Sequence, residues 1–268
     1  MVRLSVLMPC LDAGRHLRPA LASVLGQLGP DDELVVQDAR SADGSAEVLD
    51  ELAAEDPRLR VVHERDGGQS DALNRALRRA RGDFVLWANA DDLLLPGALT
   101  AVRGAVTTRT QVVVGGWQLV DGEGGLLRES PAERLDRGQL LLRGCYAFSG
   151  ALAVDREFLC ARGGFAPDLH YVMDFDLMLR LAGADQAVVP QPLAALRYHD
   201  ASKSGGLGRR FFTEGARVRW RGCRTAPDAV RALAGTAWHA AGVATAKLRF
   251  GARYTSLRQK VVSRCSTS

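Results

Sequence analysis

Short uninterrupted apolar runs alternate with stretches at helical spacing along the first half of this chain. Leu4–Met8 is a run typical of a strand buried on both faces. Leu17, Leu21, Val24, Leu25 and Leu28 then recur at helical spacing. Glu33–Gln37 reads as a second strand, Val48, Leu49, Leu52 and Ala53 mark a second helix, and Arg60–His63 is a third strand. Ala72, Leu73, Ala76, Leu77 and Ala80 form the apolar stripe of the next helix, with Arg75, Arg78 and Arg79 on its wet face. Asp83–Ala88 is a fourth strand, Pro96 suits the first turn of another helix, and Gln111–Gly115 is a fifth strand. Strands alternating with amphipathic helices predict an α/β fold, Rossmann-like, with a mainly parallel central sheet and helices on both faces.

After Gly116 the rhythm changes. Trp117–Val120 and Leu126–Glu129 flank an Asp-Gly-Glu-Gly-Gly turn and predict an antiparallel hairpin. A helix near Met173–Leu181 and short strands near Val188 and Leu196 complete the body, and residues 201–208, rich in Gly and Ser, read as a linker or mobile loop. The remainder reads as two or three basic helices. The expected division is 1–208 as one α/β domain, with 1–116 and 117–208 as its halves, and 209–268 as a basic helical extension.

Composition adds little to the class: 268 residues, 47% hydrophobic and 25% charged, are ordinary for a globular protein with a sizeable core. Charge distribution adds more. From Arg209 onward 13 Lys/Arg face two acids, so this segment carries +11; the whole chain is +4, which leaves −7 on residues 1–208. A basic tail on an acidic body points to an anionic partner: a membrane surface, nucleic acid or another protein. Nucleic acid is not expected, because the arginines lack interleaved stacking aromatics. The five cysteines are odd in number and scattered, which argues against a zinc site or disulfide framework and for a reducing, cytoplasmic setting, peripheral to a membrane at most. No secretory leader and no membrane-spanning run is read in the sequence.

The candidate chemistry lies in two places. A glycine loop, Asp66-Gly67-Gly68-Gln69-Ser70-Asp71-Ala72-Leu73-Asn74, opens a helix, and Gly67 and Gly68 serve either a turn or a close backbone approach to phosphate or sugar. Further on, the apolar strand Phe84-Val85-Leu86-Trp87 ends on Asn89-Ala90-Asp91-Asp92. Adjacent carboxylates at a strand end repel unless a cation or a hydrogen-bonding ligand compensates, and hard oxygen donors suit Mg²⁺ or Mn²⁺ brought in with phosphate. Asp38 ends the second strand and could accept from a nucleobase imide or ribose hydroxyl, or cap a turn. Asp71 is either a helix N-terminal acid or a donor contact. Asp174 and Asp176 share one helical pattern and are not separated by it. His16, His63 and His170 are assigned to packing, and Trp117 is a candidate wall of an acceptor cleft.

As an ordered set these motifs resemble family 2 glycosyltransferases of the GT-A fold. The resemblance rests on residues 5–14, on Val35-Val36-Gln37-Asp38 with Asp43-Gly44-Ser45, on the glycine loop, and on Asn89-Ala90-Asp91-Asp92 with Pro96-Gly97. It continues through Gly163-Gly164-Phe165, the Asp174–Leu181 segment and Arg197 to Ser204, and so covers roughly residues 3–205. It implies an inverting, metal-dependent transfer of sugar from a nucleotide-diphosphate donor (UDP foremost, dTDP or GDP as alternatives) to a hydroxyl acceptor, lipid-linked in some relatives, in surface polysaccharide or glycolipid assembly. By position it implies Asp38 as the acid holding the base, with Pro9 and Leu11 beside it. It puts Gly67, Gly68, Asp71, Asn89 and Ala90 along the donor, Asp91 and His199 on the metal, and Asp174 as the general base. Asn89 stands where many relatives have aspartate, Leu11 where tyrosine often packs on the base, Gln37 in place of the first acid of an Asp-Asp pair, and Met173 where a Glu-Asp pair is common. Two rival readings are another nucleotide-sugar enzyme such as a nucleotidyltransferase, which would want more than the single Arg15 near the first loop, and a transferase-like scaffold without chemistry. A Rossmann dehydrogenase is disfavoured, because no GxGxxG follows the first strand.

Overall fold

The computed structural model describes residues 2–198 and 209–250, with side chains over 2–198 and 210–241. Four parallel strands form the first half of a single sheet: β1 (Leu4–Cys10), β2 (Glu33–Asp38), β3 (Leu59–His63) and β4 (Phe84–Trp87), in the order β3-β2-β1-β4. Their crossovers run through α1 (Leu17–Leu25), α2 (Ser45–Glu55) and α3 (Gln69–Arg79). Alternation of side chains across the pleat feeds two separate cores. Leu4, Val6 and Met8 of β1, with Leu34 and Val36 of β2, join α1 on one face. Leu7, Val35, Val85 and Trp87 join Leu73 and Leu77 of α3 on the other. Strands filled on both faces need apolar runs, which is why β1, β2 and β4 are plain in the sequence, while β3 at the edge is half-buried.

Beyond β4 the sheet becomes mixed. After β5 (Leu93–Leu94) and α4 (Ala98–Ala105) come β6 (Val112–Val120), β7 (Leu126–Ser130), α5 (Arg137–Arg143), β8 (Leu152–Asp155), α6 (Arg156–Ala161), α7 (Met173–Leu181) and β9 (Gln186–Arg197). Strand β8 inserts antiparallel between β4 and β6, while β9 runs parallel to β6 and pairs β5 at the edge. The expected hairpin is β6–β7, antiparallel from Trp117↔Ser130 onward. The strands expected at Gln111–Gly115 and Trp117–Val120 are one long β6, and those near Val188 and Leu196 are one long β9. The pairing shifts register at Gly115 and Gly116. A Cβ at Gly115 would lie 2.3 Å from the Leu193 side chain, so the glycine lets the two strands meet there.

Two C-terminal helices, α8 (Arg209–Gly222) and α9 (Ala226–Phe250), pack over α5 and α7. Gly222 lies against Leu141 and Leu179, and a Cβ at Gly235 would meet the Leu141 carbonyl at 2.4 Å. Among the described residues no helix is long and apolar enough to cross a membrane.

Candidate active site

Parallel register places the C-terminal ends of β1, β2 and β3 side by side: Cys10 faces Asp38, and Asp38 faces His63. The loops that leave these ends, and the one that leaves β4, carry the candidate site residues. Asp38 is fully buried and already engaged. It accepts from Ser41 Oγ at 2.5 Å and from the Arg40 and Ser41 amides, and its Oδ2 lies 2.8 Å from His63 Nδ1. Arg40 sits at φ 67 to make this turn. The side chain therefore caps its loop, one of the two readings that its sequence position left open. The Asp38 hydrogen bond, followed by Asp50, raises the His63 pKa above its ordinary value. His63, assigned to packing on the sequence, thus belongs to this cluster. A histidine closing an apolar strand gave no motif signal; its register opposite Asp38 is visible only in the sheet.

The first loop is stapled to the second. Asp12 N–H donates to Ser41 Oγ at 2.8 Å, Ala42 N–H to Asp12 Oδ1 at 2.8 Å, and Gly14 N–H to Asp43 Oδ2 at 2.8 Å. Leu11 is left on the rim, 62% exposed, one residue beyond Cys10, and Pro9 is half-buried opposite Gln37.

The glycine loop is held by its own acids. Asp71 Oδ2 accepts from Gly67 N–H at 2.9 Å and pairs with Arg75, which together lower its pKa. Asp71 therefore shapes the loop from the first turn of α3. Gly68, at φ 111 and ψ −178, is in a region open in practice to glycine alone, and a Cβ there would point into open space. Asp66 Oδ1 accepts from Gly68 N–H, while its Oδ2 is buried without a partner; burial, then Asp71 and Asp38, raises this carboxyl's pKa. Asn74, the last residue of the motif, reaches away from the pocket. Its Nδ2 donates to the Phe165 carbonyl at 2.7 Å and its Oδ1 accepts from the Phe165 amide at 2.9 Å. Two motifs that are 91 residues apart are thus one clamp.

At the end of β4, Asn89 is a junction. Its Oδ1 accepts from Trp87 Nε1 at 2.7 Å and Gln69 Nε2 at 2.8 Å, and its Nδ2 donates to Asp92 Oδ2 at 2.6 Å. Asparagine supplies both the acceptor and the donor that this junction uses, whereas an ionised aspartate would supply acceptors alone. Asp92 is buried; its other oxygen accepts from Arg197 N–H at 2.8 Å. Burial, then the neighbouring Asp91, pushes its pKa up to about 8. Ala90 is buried, and Asp91 is half-buried between these two. Arg197 also donates to the Asp91 carbonyl at 2.9 Å and to Gly122 O at 3.0 Å, tying the β6–β7 turn to this strand end.

The N-terminus of α7 arrives from the other side of the cleft. Ser70 Oγ contacts Met173 Sδ at 3.2 Å, so α7 starts beside α3. Asp174 is half-buried, with Oδ1 accepting from the Phe175 amide at 2.7 Å; burial raises its pKa. The Cys145 thiol lies next to it. Asp176 is committed to Arg180 at 2.8 Å, so the structure separates two acids that the helical pattern could not. Trp117 is packed against Phe148, with Arg128 stacked on its ring. His199 and the loop to residue 208 lie outside the described residues. Among the described residues no group of three His, Cys, Asp or Glu is arranged to hold a metal. The acids at this strand end are Asp91 and Asp92, and Asn89 is bonded to Asp92. One carboxylate completed by substrate phosphates is a normal provision for Mg²⁺ or Mn²⁺, so these residues fit a cation that arrives with its nucleotide.

A mixed sheet with a parallel first half and helices on both faces is the architecture of GT-A glycosyltransferases. The glycosyl transferase family 2 model matches residues 5–160, and the chain belongs to that family. Among curated relatives it is 34% identical over 215 residues to the O-antigen biosynthesis protein RfbC of Myxococcus xanthus, which covers 76% of this chain and 16% of that protein. It is 24% identical over 191 residues to an uncharacterized glycosyltransferase of Rickettsia felis, covering 66% of this chain and 31% of that one. The chain thus spans well under half the length of these two relatives. Among solved structures, S. aureus TarS 1-349 in complex with UDP-GlcNAc superposes with a TM-score of 0.63 at 17% identity, covering 81% of this chain and 66% of that one. The mannosyltransferase PcManGT of Pyrobaculum calidifontis, in complex with GDP-Man and Mn²⁺, gives 0.59 at 22% identity over 98% of this chain and 80% of that one.

Proposed function

We propose that this chain moves a sugar from a nucleotide-diphosphate donor to a hydroxyl acceptor with inversion, in assembly of a bacterial surface polysaccharide, and that it works in the cytoplasm. In this reading residues 1–116 hold the donor, residues 117–208 receive the acceptor, and residues 209–268 are an extension. Leu11, Pro9 and Asp38 border the base, with His63 holding the Asp38 carboxylate. Gly67 and Gly68 let the backbone approach the phosphates or sugar. Asp91, joined by His199, would hold a divalent cation, which supplies charge stabilisation to the departing diphosphate. Asp174 takes the proton from the acceptor hydroxyl as it attacks the anomeric carbon. Its burial favours proton uptake, and no second carboxylate nucleophile is needed for a single displacement. The name of the M. xanthus relative supports polysaccharide chemistry, and the nucleotides in the neighbours' complexes support a UDP- or GDP-sugar donor.

The observation that carries this reading is the run of contacts Met173–Ser70, Gln69–Asn89 and Asn89–Asp92, which joins the start of α7 to the end of β4 across the glycine loop. The test is Asp174→Asn against a panel of UDP, dTDP and GDP sugars. Donor affinity is expected to stay within about threefold while turnover falls roughly 10²–10⁴-fold. Turnover that survives the substitution overturns Asp174 as the base.

A further inference from the structure

The chain has four tryptophans, and they divide sharply. Trp87 and Trp117 are buried in the sheet region, whereas Trp220 of α8 is 64% exposed and Trp238 of α9 is 77% exposed. The inner face of α9 is used up: Ala232 is buried, Gly235 abuts α5, and His239 lies 3.0 Å from Arg219 of α8. Val230 and Leu233 are 67% and 64% exposed, and with Ala234, Ala237 and Ala241, also exposed, they form an apolar stripe away from that contact.

The charge of these helices is mostly of one sign, although Asp168 from the body pairs with Arg217 and Arg221 of α8. From Ala229 to Ser268 the sequence contains seven Lys/Arg and no Asp or Glu. The two acids earlier in these helices are turned inward: Glu214 accepts from the His170 and Tyr171 amides, and Asp228 from the Arg224 amide. Arg224 and Arg231 are exposed. Exposed tryptophans with leucine and valine, flanked by arginines on helices that expose no acid of their own, match the interface of an anionic bilayer, where indole rings settle at headgroup level and each nearby cation adds attraction. A second copy of the chain is the weaker occupant, because a two-fold contact would set these cations against themselves. Residues 251–268, also basic, meet the same repulsion.

We infer that the outer face of α8 and α9 docks the enzyme on an anionic lipid surface, lying on the membrane rather than crossing it. This inference does not rest on the transfer reaction: nucleotide binding can persist when docking is lost, and the reverse. The experiment is cosedimentation of the full chain with phosphatidylcholine vesicles, with and without one third phosphatidylglycerol. Binding is expected only with phosphatidylglycerol and should weaken as NaCl rises from about 0.1 M to about 0.5 M. Leu233→Ser with Trp238→Ser should lower partitioning at least about tenfold. Arg224→Glu should lower it roughly fivefold or more. Circular dichroism and nucleotide binding by each variant serve as the fold control. Equal binding to both vesicle types, or none, overturns the inference. So does a dimer that the double serine variant dissociates, or vesicle binding that is unchanged in that variant.

Discussion

Replacing Asn74 by aspartate changes one atom's chemistry at nearly constant shape, and it tests the clamp between the glycine-loop helix and the Gly163-Gly164-Phe165 segment. In the native protein Nδ2 and Oδ1 serve the Phe165 carbonyl and amide in turn. Gly164 is at φ 63, and a Cβ there would lie 2.5 Å from Asn74 Oδ1, so the segment packs directly on this amide. In Asn74→Asp one oxygen keeps the Phe165 amide, but the other faces a carbonyl oxygen at the former 2.7 Å. Losing the bond costs about 1 kcal/mol, and the unpaired carbonyl against a carboxylate adds about 1–3 kcal/mol, so the expected loss of stability at neutral pH is about 2–4 kcal/mol. The new carboxyl regains the bond when it is protonated, so its folded pKa lies above the unfolded value of about 3.9. The folded state then binds more protons than the unfolded one, and the deficit grows by about 1.4 kcal/mol per pH unit as pH rises from about 4, until the folded pKa is passed. Urea unfolding of both proteins at about pH 4.5 and about pH 7.5 measures this. A deficit that is the same at both pH values, or absent at the higher one, refutes the clamp. Phe165 meets Trp87 edge-on at 5.6 Å and Trp87 donates to Asn89, so near-ultraviolet circular dichroism should change in the variant as well.

His63→Gln should remove a pH-dependent contribution to stability. Asp38 raises the His63 pKa in the folded protein, so the contribution is complete below the unfolded value of about 6.5 and is lost as pH rises through the folded value; the gap between wild type and variant should close with rising pH. A gap that widens from pH 6 to pH 8 contradicts the His63–Asp38 pairing. Gly68→Ala has space for its methyl but not for its backbone angles, so it should cost about 1–3 kcal/mol and weaken nucleotide affinity. Melting and nucleotide titration of that variant check both effects, and unaltered values in both would mean that the loop relaxes freely.

Much of the fold was legible because β1, β2 and β4 are buried along nearly their whole length and carry apolar runs at their centres. Legibility falls where that condition lapses. Strand β8 is four residues long and was not seen, yet it is the element that turns the sheet mixed. The glycines at 115 and 116 read as the end of a strand, when they are a register shift within one. The site was legible as an ordered list of motifs and less so as roles. Asp71 and Asn74 stand in the same motif but shape a loop and a clamp respectively, and nothing in their spacing tells which way each side chain turns. His63 was passed over because its partner, Asp38, lies across a strand pair. Asp174 and Asp176 became distinct only when Arg180 claimed one of them.

The central claim is that Asp91 makes donor binding depend on a divalent cation. Calorimetric titration of UDP into the wild-type chain and Asp91→Ala, each with and without Mn²⁺, tests it most directly. Mn²⁺ should tighten UDP binding by at least about tenfold in the wild type, about 1.4 kcal/mol, and by less than about twofold in Asp91→Ala. Equal enhancement in both proteins would contradict the account.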